Sequence, residues 1–186
     1  MLAPIRRTST SSIVYEGCWS AREPSIFATC SGDKSLALWD DRTSSQSIKR
    51  LDNAHEGEIL SLDWNKYDNL QIATASVDRT VRVWDLRMLT VGRPLHLLRG
   101  HYRAVRKVRW SPWSATTLAS SGYDMVVRRW ELTSLNPMAG CWEGHTEFAT
   151  GLDWSLRSKD LIASCAWDQS IHLLAPKHLG LLTKSI

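Results

Sequence analysis

Two histidine–aspartate pairs, His101 with Asp124 and His145 with Asp168, could do chemistry in this sequence. An aspartate that orients an imidazole forms the base half of a nucleophilic triad. No serine or cysteine nucleophile recurs beside either pair as a distinct third member, however, and the pair itself recurs along the chain. Such a repeat is a structural part, so no catalytic residue is expected and the chain is read as a non-enzyme. The cysteines, Cys18, Cys30, Cys141 and Cys165, include no Cys-x-x-Cys pair, and no two histidines stand at metal-ligand spacing. No metal and no cofactor are therefore expected. Cys30 and Cys165 fall in apolar strand patterns, where a reduced thiol packs as a small hydrophobe.

The elements that carry these residues repeat. The aspartates Asp33, Asp78, Asp124 and Asp168 follow one another at intervals of 45, 46 and 44 residues. Trp19, Trp64, Trp110 and Trp154 repeat at the same intervals, and Trp39, Trp84 and Trp130 at 45 and 46. Three markers sharing one period of about 40–45, with Gly-His early and Trp-Asp late, resemble WD repeats, each a four-stranded propeller blade. Gly100-His101, Gly144-His145, Trp39-Asp40 and Trp84-Asp85 fit the pattern. Ala54-His55 and Trp130-Glu131 are variants, and the last repeat ends in Leu173-Leu174-Ala175. The expected fold is all-β: a WD-repeat propeller of about four blades, incomplete relative to a seven-bladed ring. Blades are expected at about 13–50, 51–95, 96–140 and 141–178, after an irregular segment 1–12 and before a tail 179–186. An array of this kind leaves two sheet edges exposed, so the chain is expected to be a fragment of a larger propeller or to be completed by another chain.

Within a blade the marked residues have physical jobs. Val81, Val83 and Leu86 alternate with polar neighbours, as in a half-buried strand. Asp78-Arg79 and Asp168-Gln169 stand at tight turns, where aspartate accepts backbone hydrogen bonds. A loop His, a strand Ser or Thr, the turn Asp and a Trp indole can join in one internal relay: His55, Thr74 or Ser76, Asp78 and Trp84 in the second blade. A tryptophan buried between sheets needs its N–H satisfied, which accounts for most of the ten tryptophans against two phenylalanines. His101, Asp124, Trp130, His145 and Asp168 have the same structural roles.

Bulk properties exclude other classes. A net charge of +4 is too weak to argue for nucleic acid without a concentrated patch, and the run Arg103, Arg106, Lys107, Arg109 has neither a phosphate loop nor interleaved aromatics. No apolar run approaches the roughly 18 residues of a membrane span, so no direct insertion is expected. Residues 1–12 carry Arg6, Arg7 and several hydroxyls without an acid, a faint likeness to a mitochondrial presequence. The plainer reading is a frayed or truncated start, because a strand pattern begins at Ile13.

A narrower resemblance rests on Ala54-His55-Glu56-Gly57-Glu58-Ile59-Leu60-Ser61-Leu62-Asp63-Trp64, Lys66-Tyr67, Val77-Asp78, Trp84-Asp85-Leu86-Arg87, Ser111-Pro112, Leu118-Ala119-Ser120 and Tyr123-Asp124. The segment His145-Thr146-Glu147-Phe148 with Gly151-Leu152-Asp153 and Trp167-Asp168 is its most specific part. Together these resemble the C-terminal portion of the receptors for the type 2 peroxisomal targeting signal, over about residues 11 to 178. The resemblance implies a receptor of the cytosol that cycles to peroxisomes. Such receptors bind a short helical signal peptide of matrix proteins, basic and aliphatic at one end. An import co-receptor closes over the signal and carries it to the docking machinery. The N-terminal blades of that family have no counterpart here, so contacts made by them are missing.

Propeller ligands meet the top face, at positions three and five after the His and one before the Asp. These are Glu58, Leu60 and Val77; Ala104, Arg106 and Tyr123; Phe148, Thr150 and Trp167; and, by register, Ile13, Tyr15 and Gly32. Leu60, Tyr123, Phe148 and Trp167 offer an apolar groove, with Tyr15 and Arg106 on the same rim and Glu58 as the carboxylate for a basic residue. The alternative is that Phe148 and Trp167 only pack between blades and Glu58 is a solvated rim charge. Two rival functions share the fold. A histone-tail-binding subunit would carry an N-terminal helix and an acidic loop, neither of which is visible. A cullin ubiquitin ligase substrate receptor would dock its adaptor through Trp-Asp-x-Arg, a pattern met by Trp39-Asp40-Asp41-Arg42 and Trp84-Asp85-Leu86-Arg87.

Overall fold

The computed structural model describes residues 12–43 and 46–175. The expected irregular start, except Ser12, and the whole C-terminal tail lie outside the described residues. Fifteen strands form four antiparallel sheets. The first contains β1 (Val14–Trp19), β2 (Ile26–Ser31), β3 (Leu36–Asp40) and β4 (Lys49–Leu51). The second contains β5 (Ile59–Trp64), β6 (Gln71–Ser76), β7 (Thr80–Asp85) and β8 (His96–Arg99), with one 3-10 turn at Leu89–Val91. The third contains β9 (Val105–Trp110), β10 (Thr117–Gly122), β11 (Val127–Glu131) and β12 (Met138–Trp142). The fourth contains β13 (Ala149–Trp154), β14 (Ile162–Ala166) and β15 (Ile171–Leu174). Each sheet is a simple meander in chain order, so these are four consecutive blades of a WD-type propeller, with β1, β5, β9 and β13 side by side along the inner rim. Among the described residues no helix is long and apolar enough to cross a membrane.

Sheet limits fall slightly later in the chain than the sequence divisions. The outermost strands β4, β8 and β12 pair with the sheet before them, closing it at Leu51, Arg99 and Trp142. A Gly-His or Ala-His follows each of these strands within a few residues, so the visible motif begins after the outer strand and not before it.

The core lies between sheets. Ala28, Cys30, Leu36 and Leu38 of the first blade pack on Leu62, Trp64, Ile72 and Trp84 of the second. Ala73, Ala75, Val81 and Val83 then pack on Val108, Trp110, Leu118 and Trp130 of the third. Ala119 and Val127 pack on Leu152, Trp154, Ile162 and Leu174 of the fourth. Strand alternation supplies one set for each face. Small residues in the middle strand of one blade make room for the tryptophans of the next.

The inner tryptophans also stitch blades together. The Trp64 indole donates to the Cys18 carbonyl (3.0 Å), and Trp154 donates to that of Arg109 (3.1 Å). The Trp110 backbone N–H donates to the Asp63 carboxylate (2.7 Å). Cys30 is fully buried, and burial pushes its thiol up to about 12. Cys165 differs from the sequence expectation. It is exposed, because among the described residues no blade covers the face of the fourth sheet it occupies.

Candidate peptide-binding face

Each of three blades contains a hydrogen-bond relay. In the second, His55 Nδ1 lies 2.9 Å from Asp78 and His55 Nε2 lies 2.7 Å from Thr74 Oγ1. Thr74 Oγ1 also accepts from the Trp84 indole at 2.8 Å. The hydroxyl proton is thus turned to Nε2 and the imidazole proton sits on Nδ1, facing the carboxylate. Ser76 instead accepts from the Asp78 backbone N–H (3.1 Å), so of the two candidate hydroxyls Thr74 is in the relay and Ser76 caps the turn. The third blade repeats this with His101, Asp124, Ser120 and Trp130 at 2.7–2.9 Å. The fourth joins His145 to Asp168 (3.0 Å) and Ser164 (2.8 Å), but Leu174 stands where Trp84 and Trp130 stand elsewhere.

Electrostatics follow from this geometry. Burial holds His55 and His101 below the ordinary imidazole range, and the bonded carboxylates only partly offset it. Burial works against ionisation of Asp78 and Asp124, yet the donated bonds from His55 and His101 outweigh it and hold both well below the usual carboxylate range. Bonds from Ser170, with backbone bonds at Thr146 and Ser170, lower Asp168 likewise. The hydroxyls that occupy Nε2, those of Thr74, Ser120 and Ser164, are themselves buried, so carboxylate, imidazole and hydroxyl are locked together inside each blade. Among the described residues no group of His, Cys, Asp or Glu could hold a metal ion.

The relays fix the top loops. Asp78, Asp124 and Asp168 are each followed by a residue with left-handed backbone: Arg79 (φ 70°), Met125 (φ 66°) and Gln169 (φ 65°). Lys34 (φ 67°) does the same after Asp33. Such a turn plus left-handed residue closes a hairpin with the twist its strands require. Opposite it, every innermost strand has a β-bulge, at Tyr15, Leu60, Arg106 and Thr150, where the register skips one residue. A bulge re-aims the side chain it contains. The repeat pointed to these positions; the bulge that sets them apart has no sequence marker of its own.

The rim residues lie as follows. Tyr15 donates its hydroxyl proton to the exposed Glu58 carboxylate at 2.6 Å, across the first two blades, and this bond raises the Tyr15 phenol above its ordinary range. Arg106 Nη1 donates to the Leu60 carbonyl at 3.3 Å. Leu60 is only 6% exposed, so its carbonyl and not its side chain meets the rim; the groove loses that apolar wall. Tyr123 and Phe148 meet across blades three and four with ring centroids 4.8 Å apart, and Phe148 meets Trp167 at 5.2 Å. Tyr123 and Phe148 are half-buried, while Trp167 is 63% exposed. Interblade packing and a presented aromatic surface are therefore both features of this cluster.

The structure also brings in Glu16, which sequence reasoning passed over. It takes bonds from Lys107 (2.6 Å) and Arg109 (2.9 Å) of the third blade and from the Leu62 backbone of the second (3.2 Å). Burial opposes its ionisation, but the Lys107, Ser61 and Arg109 bonds prevail and lower it. The available signal was register: Glu16, Ser61 and Lys107 occupy one repeat position, with opposite charges two blades apart. In both Trp-Asp-x-Arg segments the arginine folds back on its own aspartate, Arg42 on Asp40 at 2.8 Å and Arg87 on Asp85 at 2.6 Å.

The model of the WD domain, G-beta repeat, matches residues 45–85, 92–131 and 137–173. The chain belongs to the WD-repeat family. Each match starts in or before the outermost strand of one sheet and ends in the third strand of the next, which is the offset seen in the sheet limits. The chain is similar to the peroxisomal targeting signal 2 receptor of Saccharomyces cerevisiae, 33% identical over 192 aligned positions, covering 85% of this chain and 51% of that protein. It is also similar to two WD-40 repeat-containing proteins of Arabidopsis thaliana. MSI4 is 37% identical over 91 residues, covering 47% of this chain and 18% of that protein. MSI3 is 38% identical over 87 residues, covering 47% and 20%. The chain thus spans about half the length of the yeast receptor and about a fifth of the other two.

Proposed function

We propose that this WD-repeat protein is a non-enzymatic receptor for the type 2 peroxisomal targeting signal, working between the cytosol and the peroxisome with an import co-receptor and docking machinery. The observation that carries the reading is the composition of the rim. A carboxylate, Glu58, stands exposed at one side, and an aromatic run, Tyr123–Phe148–Trp167, at the other. A peptide that presents a basic residue and an apolar stripe matches both, with the cation on Glu58 and the stripe on the rings. The similarity to the yeast receptor over most of this chain supports the same reading. The likeness to MSI4 and MSI3 covers about half of the chain and leaves a general WD scaffold as the second reading.

Fluorescence anisotropy with a labelled type 2 signal peptide tests this. Glu58→Lys and Trp167→Ala should each weaken binding about tenfold or more, the range of an interface anchor. Equal affinity of wild type and both variants, or equal affinity for a scrambled peptide, overturns the proposal.

A further inference from the structure

The guanidinium groups beside the relay aspartates are not equally satisfied. Arg82 and Arg128 occupy one repeat position, paired in their ladders with the relay residues Thr74 and Ser120. Arg82 donates to the Ala54 carbonyl (3.0 Å), to Asp78 (3.3 Å) and to the Thr80 hydroxyl (3.5 Å), and the Glu56 carboxylate lies 4.0 Å away. Arg128 is buried more deeply, its side chain 7% exposed against 15%. It has fewer acceptors: the Met138 thioether at 3.5 Å and Asp124 at 3.6 Å, with no partner for Nε among the described residues. The repeat accounts for the shortfall. Val126 stands where Thr80 stands and Tyr102 where Glu56 stands, so a hydroxyl and a carboxylate are both missing. A buried cation short of acceptors is destabilising, and a carboxylate brought near it relieves this.

The loop next to Arg128 adds charge of the same sign. Gly100 lies beside the Arg128 side chain. Arg99 and Arg103 flank it; both are exposed, and neither has an ion-pair partner among the described residues. Arg99 pairs with Thr80 in the ladder of β7 and β8, which sets it beside the turn that carries the exposed Arg79. The loop is held in place by His101 through the relay and by Tyr102, whose backbone N–H reaches the Asp124 carboxylate (3.3 Å) and whose hydroxyl reaches the Asp124 carbonyl (3.1 Å). A fixed loop binds without an ordering cost. Counted from the loop histidine, the positions of Arg99 and Arg103 hold Asn53 and Gly57 one blade earlier, and the exposed acids Glu143 and Glu147 one blade later. The basic character therefore belongs to the corner between blades two and three and not to the repeat.

We propose that this corner binds an acidic segment of a partner protein. Its carboxylates pair with Arg99 and Arg103, and one of them takes the place beside Arg128 that Glu56 holds beside Arg82. The Glu56 side chain is 86% exposed, so that place is open to a carboxylate arriving from solvent. The site is separate from the rim around Glu58 and does not rest on the signal-peptide reading.

Fluorescence anisotropy with a labelled hexaglutamate peptide tests this. The wild-type chain should bind the peptide, with an affinity that falls as salt screens the contact. Arg99→Glu combined with Arg103→Glu should weaken binding about tenfold or more. Arg22→Glu combined with Arg157→Glu makes the same change of charge on the loops after β1 and β13 and should leave binding unchanged. Tyr102→Glu supplies the corner with its own carboxylate and should also weaken binding about tenfold, whereas Tyr102→Gln should not. Circular dichroism checks that each variant is folded. No binding to the wild type, equal losses in the two charge-reversed pairs, or equal affinities of Tyr102→Glu and Tyr102→Gln overturns the proposal. Tighter binding of a labelled oligothymidylate that Arg99→Glu with Arg103→Glu abolishes also overturns it, because the corner would then be a nucleic-acid site.

Discussion

Thr74→Val isolates what the relay contributes. The substitution keeps the side chain's shape and replaces only the hydroxyl. Thr74 is fully buried, and its oxygen serves two groups at once, the Trp84 indole N–H at 2.8 Å and His55 Nε2 at 2.7 Å. Without it both are orphaned in the core. The imidazole cannot turn its proton to Nε2, because Nδ1–H is held by Asp78 at 2.9 Å. An unsatisfied buried polar group costs about 1–3 kcal/mol, so the two together should destabilise the protein by about 2–4 kcal/mol after partial relaxation. Thr74→Ser keeps the oxygen and loses one methyl, at about 1 kcal/mol; Ser120 does the same job in the third blade. Urea unfolding followed by tryptophan fluorescence, compared at constant slope, reads the difference. If Thr74→Val falls within about 0.5 kcal/mol of Thr74→Ser, the relay does not carry the load assigned to it.

Two further outcomes follow from the same geometry. His55 and His101 have folded-state pKa values below the unfolded one, so as pH falls the unfolded chain takes up protons first. Their stabilisation is whole above about pH 6.5 and declines below it, by up to about 1.4 kcal/mol per pH unit for each histidine, and the depressed Asp78 and Asp124 add a second loss below about pH 4. Urea midpoints should hold from pH 7.5 to about 6.5 and then fall toward pH 5; a flat profile throughout refutes the buried neutral state. Met125 holds a left-handed backbone at φ 66°, which costs a side-chain-bearing residue about 1–2 kcal/mol. Met125→Gly removes that strain against about 0.5–1 kcal/mol of unfolded-state entropy, so a net gain of about 0.5 kcal/mol is expected in the same titration, and a loss contradicts it.

The repeat was readable because its markers are the residues a blade cannot replace cheaply. A buried indole needs an acceptor, and a tight turn needs an aspartate, so Trp84, His55 and Asp78 recur at one period and declare the fold. Other features left no such trace. A bulge is an offset between two strands and not a residue type, so Leu60 looked like a groove wall until pairing turned its side chain inward. Cys165 sits in the same alternation as Ala75, and only the neighbouring blade distinguishes a buried position from an open one. Thr74 and Ser76 differ in role through the turn between β6 and β7, which the pattern of hydroxyls alone does not resolve.

Glu16 has a consequence for how the array bends. Contacts between adjacent blades set each joint separately, and a row of such joints could curl, straighten or twist without any one of them knowing about the next. The bonds from Lys107 and Arg109 to Glu16 span two joints at once. They can be made only if both joints lean toward the same axis, like a bowstring tied across three staves. One carboxylate on the inner rim thus ties three blades to a common arc, and the rim on which Glu58 and the aromatic run are spaced follows that arc.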